Sequence, residues 1–173
     1  MCMTRLILST FGVAPNNGIL HSIVCSAFSW LTNAASASNS TVGIGAGGNG
    51  GAGFILGIAA SGGVQVVADS SGDLGIAFTV GGNPGYGVFG AGAMGGVQGS
   101  ISTASTIYGL RGGSVDAGAS FGAGPAITLD GSAAMDGSSF TGTVTVGPGV
   151  GTKGTALGVD YTWVPSALST NCH

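Results

Sequence analysis

Charge is what this chain of 173 residues has least of. Charged residues make up 5 % of it, against about 25 % in ordinary soluble domains. The cations are Arg5, Arg111 and Lys153, and the acids are Asp69, Asp73, Asp116, Asp130, Asp136 and Asp160, with no glutamate. Nucleic-acid binding needs several cations on one face, so that class of partner is excluded. A net charge of −3 gives little colloidal repulsion to a sequence that is 44 % hydrophobic. Such a balance points to a membrane, a dry assembly or an extracellular structural role.

Other absences narrow the field further. Cysteine occurs three times, at Cys2, Cys25 and Cys172, in a spacing that matches neither a zinc site nor a thioredoxin motif. The odd count argues for free thiols over a disulfide framework, and a Cys25–Cys172 bridge is the alternative. No run reaches the roughly 18 apolar residues of a membrane-spanning helix. Arg5 followed by Leu6-Ile7-Leu8 resembles the start of a secretion signal, and Ala35-Ser36-Ala37 resembles a cleavage site, but Pro15 to Gly18 break the run between them. The 37 glycines do not recur at every third place, which excludes collagen. Glycine-rich disorder fails too, because β-branched and aromatic residues alternate through most of the chain.

Two patterns are present. After Asn16-Asn17-Gly18, residues Leu20, Ile23, Val24, Ala27, Phe28, Trp30 and Leu31 recur at helical spacing, opposite a stripe of Ser22, Ser26, Ser29 and Asn33. This predicts one amphipathic helix over about 18–33, ended by the run NAASASNS. Gly43 to Gly53 then reads as a glycine-rich hinge. From Phe54 the period becomes two: Val64, Val66; Leu74, Ile76, Phe78, Val80; Phe140, Val144, Val146; Leu157, Val159, Tyr161, Trp163. Turn signals fall at Ser61-Gly62-Gly63, Ser70-Ser71-Gly72, Gly82 to Gly85, Arg111 to Gly113, Asp130-Gly131 and Gly147 to Gly149. A phase shift at Val88-Phe89 predicts a β-bulge. The expected fold is mainly β: an antiparallel meander of about eight to nine strands, closed into a barrel because open edges this apolar would aggregate. The expected divisions are 1–40 with the helix, 41–53 the hinge, 54–168 the barrel and 169–173 a tail.

Motifs for chemistry are weak. Several G-x-G-x-x-G matches occur, as at Gly85/Gly87/Gly90, but none joins a strand to a helix, and at this glycine content about one or two arise by chance. Gly118-Ala119-Ser120-Phe121-Gly122 copies a nucleophile elbow but sits inside an alternating strand. Ser120 therefore reads as a strand residue, with His21 and His173 badly placed to act as its base. Asp69 and Asp73 flank a turn and read as turn caps rather than calcium ligands. No catalytic, metal or cofactor residues are expected. Tyr86, Tyr108, Tyr161 and Trp163 lie near strand ends, either as an interfacial girdle or as end plugs.

The stretches SGDLGIAFTVGGNPGYGVFGAGA and GPGVGTKGTALGVDYTWVP resemble the glycine-rich β region near the C-termini of bacterial RHS-repeat and related polymorphic-toxin proteins. The resemblance covers about residues 60–168. It implies secretion and a toxin or toxin-delivery role, although neither YD repeats nor the self-cleavage site of the RHS shell is present.

The bulky strand face is the expected working surface: Leu74, Ile76, Phe78, Val80, Val144, Val146, Leu157, Val159 and Trp163. It points either inward as a core or outward into lipid or a partner, and the shortage of charge favours outward. The expected function is a secreted, non-enzymatic barrel that associates with or inserts into membranes like a pore-former. Self-assembly into an extracellular structure is the alternative, and binding of an apolar small molecule is the third. The expected partners are membrane lipid or copies of the chain itself.

Overall fold

The computed structural model describes residues 18–82, 86–151, 154–165 and 167–168. One helix, α1 (Gly18–Ser38), precedes the strands β1 (Thr41–Ala68), β2 (Leu74–Gly82), β3 (Tyr86–Ser102), β4 (Gly112–Phe121), β5 (Gly124–Ala134), β6 (Phe140–Gly151), β7 (Gly154–Trp163) and β8 (Ala167–Leu168). A short 3-10 helix, Ile107–Leu110, links β3 to β4. The expected helix runs five residues longer than the sequence suggested. Its last turn is tied by the Ser38 hydroxyl, which donates to Ala34 O at 2.8 Å. Asn39 then takes φ 47°, the left-handed conformation that stops helices.

The strands form a closed antiparallel barrel. Neighbours run β1-β3-β6-β5-β4-β7-β2, and β2 returns to pair with β1. Seven strands close the ring, and the two-residue β8 adds to β2. The expected eight to nine is too high, and the expected meander is wrong in order. β4, β5 and β6 are consecutive neighbours, but β7 returns to lie beside β4, which is a Greek key. The first half repeats the device. The first arm of β1 pairs with β3 and its second arm with β2.

β1 is also where the hinge reading fails. Gly43 to Gly53 is strand, laddered on β3 from Thr41↔Ser102 onward. Its glycines serve close approach rather than flexibility. A side chain at Gly51 would meet Ala59 Cβ at 2.9 Å, on the other arm of the same strand. The arms bend back at Ile55, whose φ of 71° is a genuine outlier for a β-branched residue. The expected bulge appears here, one residue early. Ile55 pairs with Val88 and Leu56 with Tyr86, leaving Gly87 unpaired.

Three expected turns also lie inside strands: Ser61–Gly63 in β1, Asp130-Gly131 in β5 and Gly147–Gly149 in β6. The turn at Ser70-Ser71-Gly72 is real. Asp69 is fully buried and accepts from Ser71 N and Asp73 N, each at 3.0 Å, and from Ile107 N at 3.0 Å. It therefore caps the β1–β2 turn and fastens the 3-10 helix to it.

That end of the barrel holds most of the apolar core, while Met94 and Ala126 are buried further along, in the lumen. One cluster joins Leu31 and Ala35 of α1 to Ala68 and Leu74, and a second joins Val67, Ala77, Ile107 and Val164. We call this the capped end. The open end carries the β1 bend, the ends of β2, β4 and β6, and the starts of β3, β5 and β7.

Candidate membrane-facing surface and polar lumen

Alternation places one face of every strand inside the barrel and one outside. The outside is the bulky face. Val80, Val144, Val146, Leu157, Val159 and Trp163 are all exposed. Ile76 and Phe78 are half-buried, and Phe78 stacks on Trp163 with ring centroids 5.6 Å apart. Leu74 differs from the rest of the expected face. It is buried under α1 against Leu31 and Ala35, so it belongs to the core.

The exposed surface reaches well beyond those residues. Phe121, Ile127, Val146 and Val97 form one continuous rung across β4, β5, β6 and β3, and all four are exposed. Leu129 pairs with Val144, and Val115 with Val159, in further outward rungs. Among the described residues, twenty-four large hydrophobic side chains are exposed. Only six larger than alanine are buried: Leu31, Val67, Leu74, Met94, Ile107 and Val164. Each such side chain is worth about 1.5–3 kcal/mol when removed from water. Among the described residues, far more large apolar side chains are therefore left in contact with solvent than are buried.

No charged side chain among the described residues interrupts this wall. Asp73, Arg111 and Asp136 sit at the capped end. Arg111 Nε donates to Val164 O at 2.8 Å, and its guanidinium lies 4.3 Å over the Tyr108 ring. Asp136, in the β5–β6 turn, accepts from Ser138 N at 2.9 Å, and the Ser138 hydroxyl and amide hold its carboxyl below the usual range. Lys153, between β6 and β7, lies outside the described residues, as do Cys2, Cys172 and His173. The Cys25–Cys172 bridge therefore falls outside what is described; Cys25 itself is half-buried on α1.

The inner face is polar toward the capped end and is walled largely by glycine, alanine and Met94 toward the open end. Two adjoining cavities of about 100 and 120 Å³ occupy the lumen, sharing Asn49, Ser61, Asp116 and Asp130 in their walls. Gln65, Thr79, Gln98, Ser100, Ser114 and Thr143 line the second. Ser120 Oγ lies 2.9 Å from Thr128 Oγ1, so it is a lumen strand residue bonded to another hydroxyl. Gln98 Oε1 and Asp116 Oδ1 are shut off from solvent with no donor against them. A polar space of this size is one that water fills.

Three aspartates, unassigned by the sequence, meet in this lumen. Asp130 of β5 lies opposite Gly118 of β4, Asp116 of β4 opposite Gly158 of β7, and Asp160 of β7 opposite Gly81 of β2. Each carboxylate covers the space that a side chain on its glycine would take. The three therefore climb around the inner wall, all leaning the same way. Asp160 is held by the Ser61 hydroxyl at 2.9 Å. The signal was readable. Asp116 follows Ser114 by two, Asp130 follows Thr128 by two and Asp160 precedes Thr162 by two, so all three share the small polar stripe.

The open end carries a second feature that the sequence reading passed over. The last rung that β3 shares with β6 is Gly92↔Gly151, and the last that β1 shares with β2 is Ala60↔Gly82. The β1–β3 ladder continues past both, is tied to β7 at Phe89↔Thr155, and ends at Leu56↔Tyr86. The projecting finger exposes Phe54 by 81 %, Ile58 by 76 %, Leu56 by 61 % and Ile55 by 55 %.

Comparison with protein-family models, characterised proteins and solved structures gives no match for the chain. Among the described residues no helix is long and apolar enough to cross a membrane, which leaves strands aside.

Proposed function

We propose that this chain is a secreted, non-enzymatic β-barrel that inserts into membranes in the manner of a pore-former. The observation that carries the reading is the inversion of its faces: aliphatic and aromatic side chains outside, hydroxyls, amides and carboxylates inside. A water-soluble barrel has the opposite arrangement, whereas barrels in lipid have this one. The dimensions support it. β4, β5 and β7 have 10, 11 and 10 residues. At about 3.3 Å per residue and a tilt of about 45°, that gives a belt of roughly 25 Å, the height of the apolar band of a membrane barrel. The resemblance to toxin-associated β regions agrees with secretion.

A second reading, self-assembly through the apolar wall, is favoured by one observation. The crossed strand order differs from the up-and-down order of outer-membrane barrels. Light scattering on size-exclusion peaks, with and without detergent, separates the two, together with release of a trapped dye from phosphatidylcholine liposomes. The membrane reading expects a monodisperse species in detergent and dye release. Regular polymers in water with intact liposomes would establish self-assembly instead.

A further inference from the structure

We propose that the barrel enters the bilayer open end first, with the β1 finger at Phe54–Ile58 leading and the helix-capped end left on the side of arrival. This rests on the membrane reading above and adds a direction to it; the occupant of the finger is lipid.

The two ends differ in what each would have to carry through hydrocarbon. The capped end holds the exposed charges Asp73, Arg111 and Asp136, together with α1, whereas the sequence places a single charge, Lys153, in the link between β6 and β7 at the other end. Leading with the capped end would drag its charges and the helix across, and each charge at the bilayer centre is heavily penalised. The finger exposes only apolar side chains and glycine or alanine from Gly53 to Ala59. Its tip also runs past the rungs shared with β2 and β6 and, by two rungs, past the Phe89↔Thr155 pair that ties it to β7.

The aromatic residues give an independent indication. Three of the five tryptophans and tyrosines, Tyr108, Tyr161 and Trp163, belong to the capped end and are exposed there, Trp30 of α1 lines a groove on the wall with Leu129 and Val144, and Tyr86 opens β3 at the other end. Tryptophan and tyrosine settle at the headgroup layer, where one edge is apolar and the other wet. The finger is instead led by phenylalanine, isoleucine and leucine, which have no polar edge to hold them there. Ile55 takes a left-handed conformation at the apex with its side chain 55 % exposed.

The test uses the full chain and phosphatidylcholine liposomes, with flotation to measure association and dye release to measure insertion. Phe54→Asp and Ile58→Asp place a carboxylate on the finger; Met135→Asp places one on an equally open site, 60 % exposed, at the capped end. Thermal melting of the soluble forms confirms that all three fold. The expected result is initial dye release slowed by at least about tenfold in the finger variants, and within about twofold of the parent for Met135→Asp. Finger variants that release dye as fast as the parent would overturn the direction while leaving the membrane reading intact, as would a Met135→Asp variant slowed as much as they are. A parent that neither floats nor releases dye would overturn the membrane reading itself, and the direction with it.

Discussion

The Asp130 carboxylate lies over Gly118 on the neighbouring strand, in the space that any side chain at that glycine would fill. The same relation repeats between Asp116 and Gly158, where a side-chain carbon would come within 2.6 Å of Oδ1. Burial, and after it the charges of Asp116 and Asp160, push the Asp130 carboxyl up to about 6. Arg111, the one cation among the described residues, lines the same cavity but spends its bonds on the Val164 and Pro165 carbonyls.

Three like charges in one lumen act against the fold. Replacing Asp130 by Asn keeps the shape and removes one charge. At an effective dielectric of about 20, repulsion between partly buried charges several ångströms apart is of order 1–2 kcal/mol. Asp130→Asn is therefore expected to raise the melting temperature at neutral pH by several degrees. Calorimetry at low and high salt checks it. The gain should shrink little with salt, because the lumen is screened less than the surface.

Glycine content is high for two physical reasons, and a pair of alanine variants on β3 separates them. A side chain at Gly96 would run into the backbone carbonyl of Val146, whereas one at Gly99 meets nothing within 4 Å. Gly96→Ala must displace backbone and is expected to cost about 2 kcal/mol or more. Gly99→Ala is expected to be neutral or to stabilise by up to about 1 kcal/mol, because it lowers the entropy of the unfolded chain. Urea titrations of both variants, read at the midpoint, check the contrast.

This double use of glycine also decides how much could be read in the sequence. Alternation gave the barrel and the outward-facing rows, because a period of two survives whatever the glycines do. Strand order was not legible. Three of the six glycine-marked turns, at Ser61–Gly63, Asp130-Gly131 and Gly147–Gly149, are strand interiors, and each miscounted turn suggests a false hairpin. The same error turned the first arm of β1 into a hinge. Leu74 alternates with its neighbours like any wall residue, and only the docking of α1 puts it in the core. The lumen aspartates were legible in principle from their shared stripe. The finger was not, since its projection depends on where neighbouring strands stop.

The core at the capped end is small, so single residues in it carry much of the stability in water. Leu31 is 1 % exposed and joins α1 to Ala68 and Leu74. Leu31→Ala is expected to cost about 2–4 kcal/mol. Val97→Ala, on the 64 % exposed wall, is expected to change stability by less than about 0.5 kcal/mol. Thermal melting of the two variants in detergent-free buffer checks the difference.

The central claim is that the faces are inverted, and two adjacent positions on β6 test it most directly. Val146 is 54 % exposed on the wall and Thr145 is 5 % exposed in the lumen. Thermal melting, combined with dye release from phosphatidylcholine liposomes, is measured for Val146→Asp and Thr145→Asp. On this account Val146→Asp melts like the parent in water and loses most of its dye release, because a charge in the hydrocarbon belt is costly. Thr145→Asp buries a fourth lumen carboxylate and loses about 3 kcal/mol or more of stability. A Val146→Asp variant that cannot fold in water, beside a Thr145→Asp variant indistinguishable from the parent, would contradict the account and make the bulky face an ordinary core.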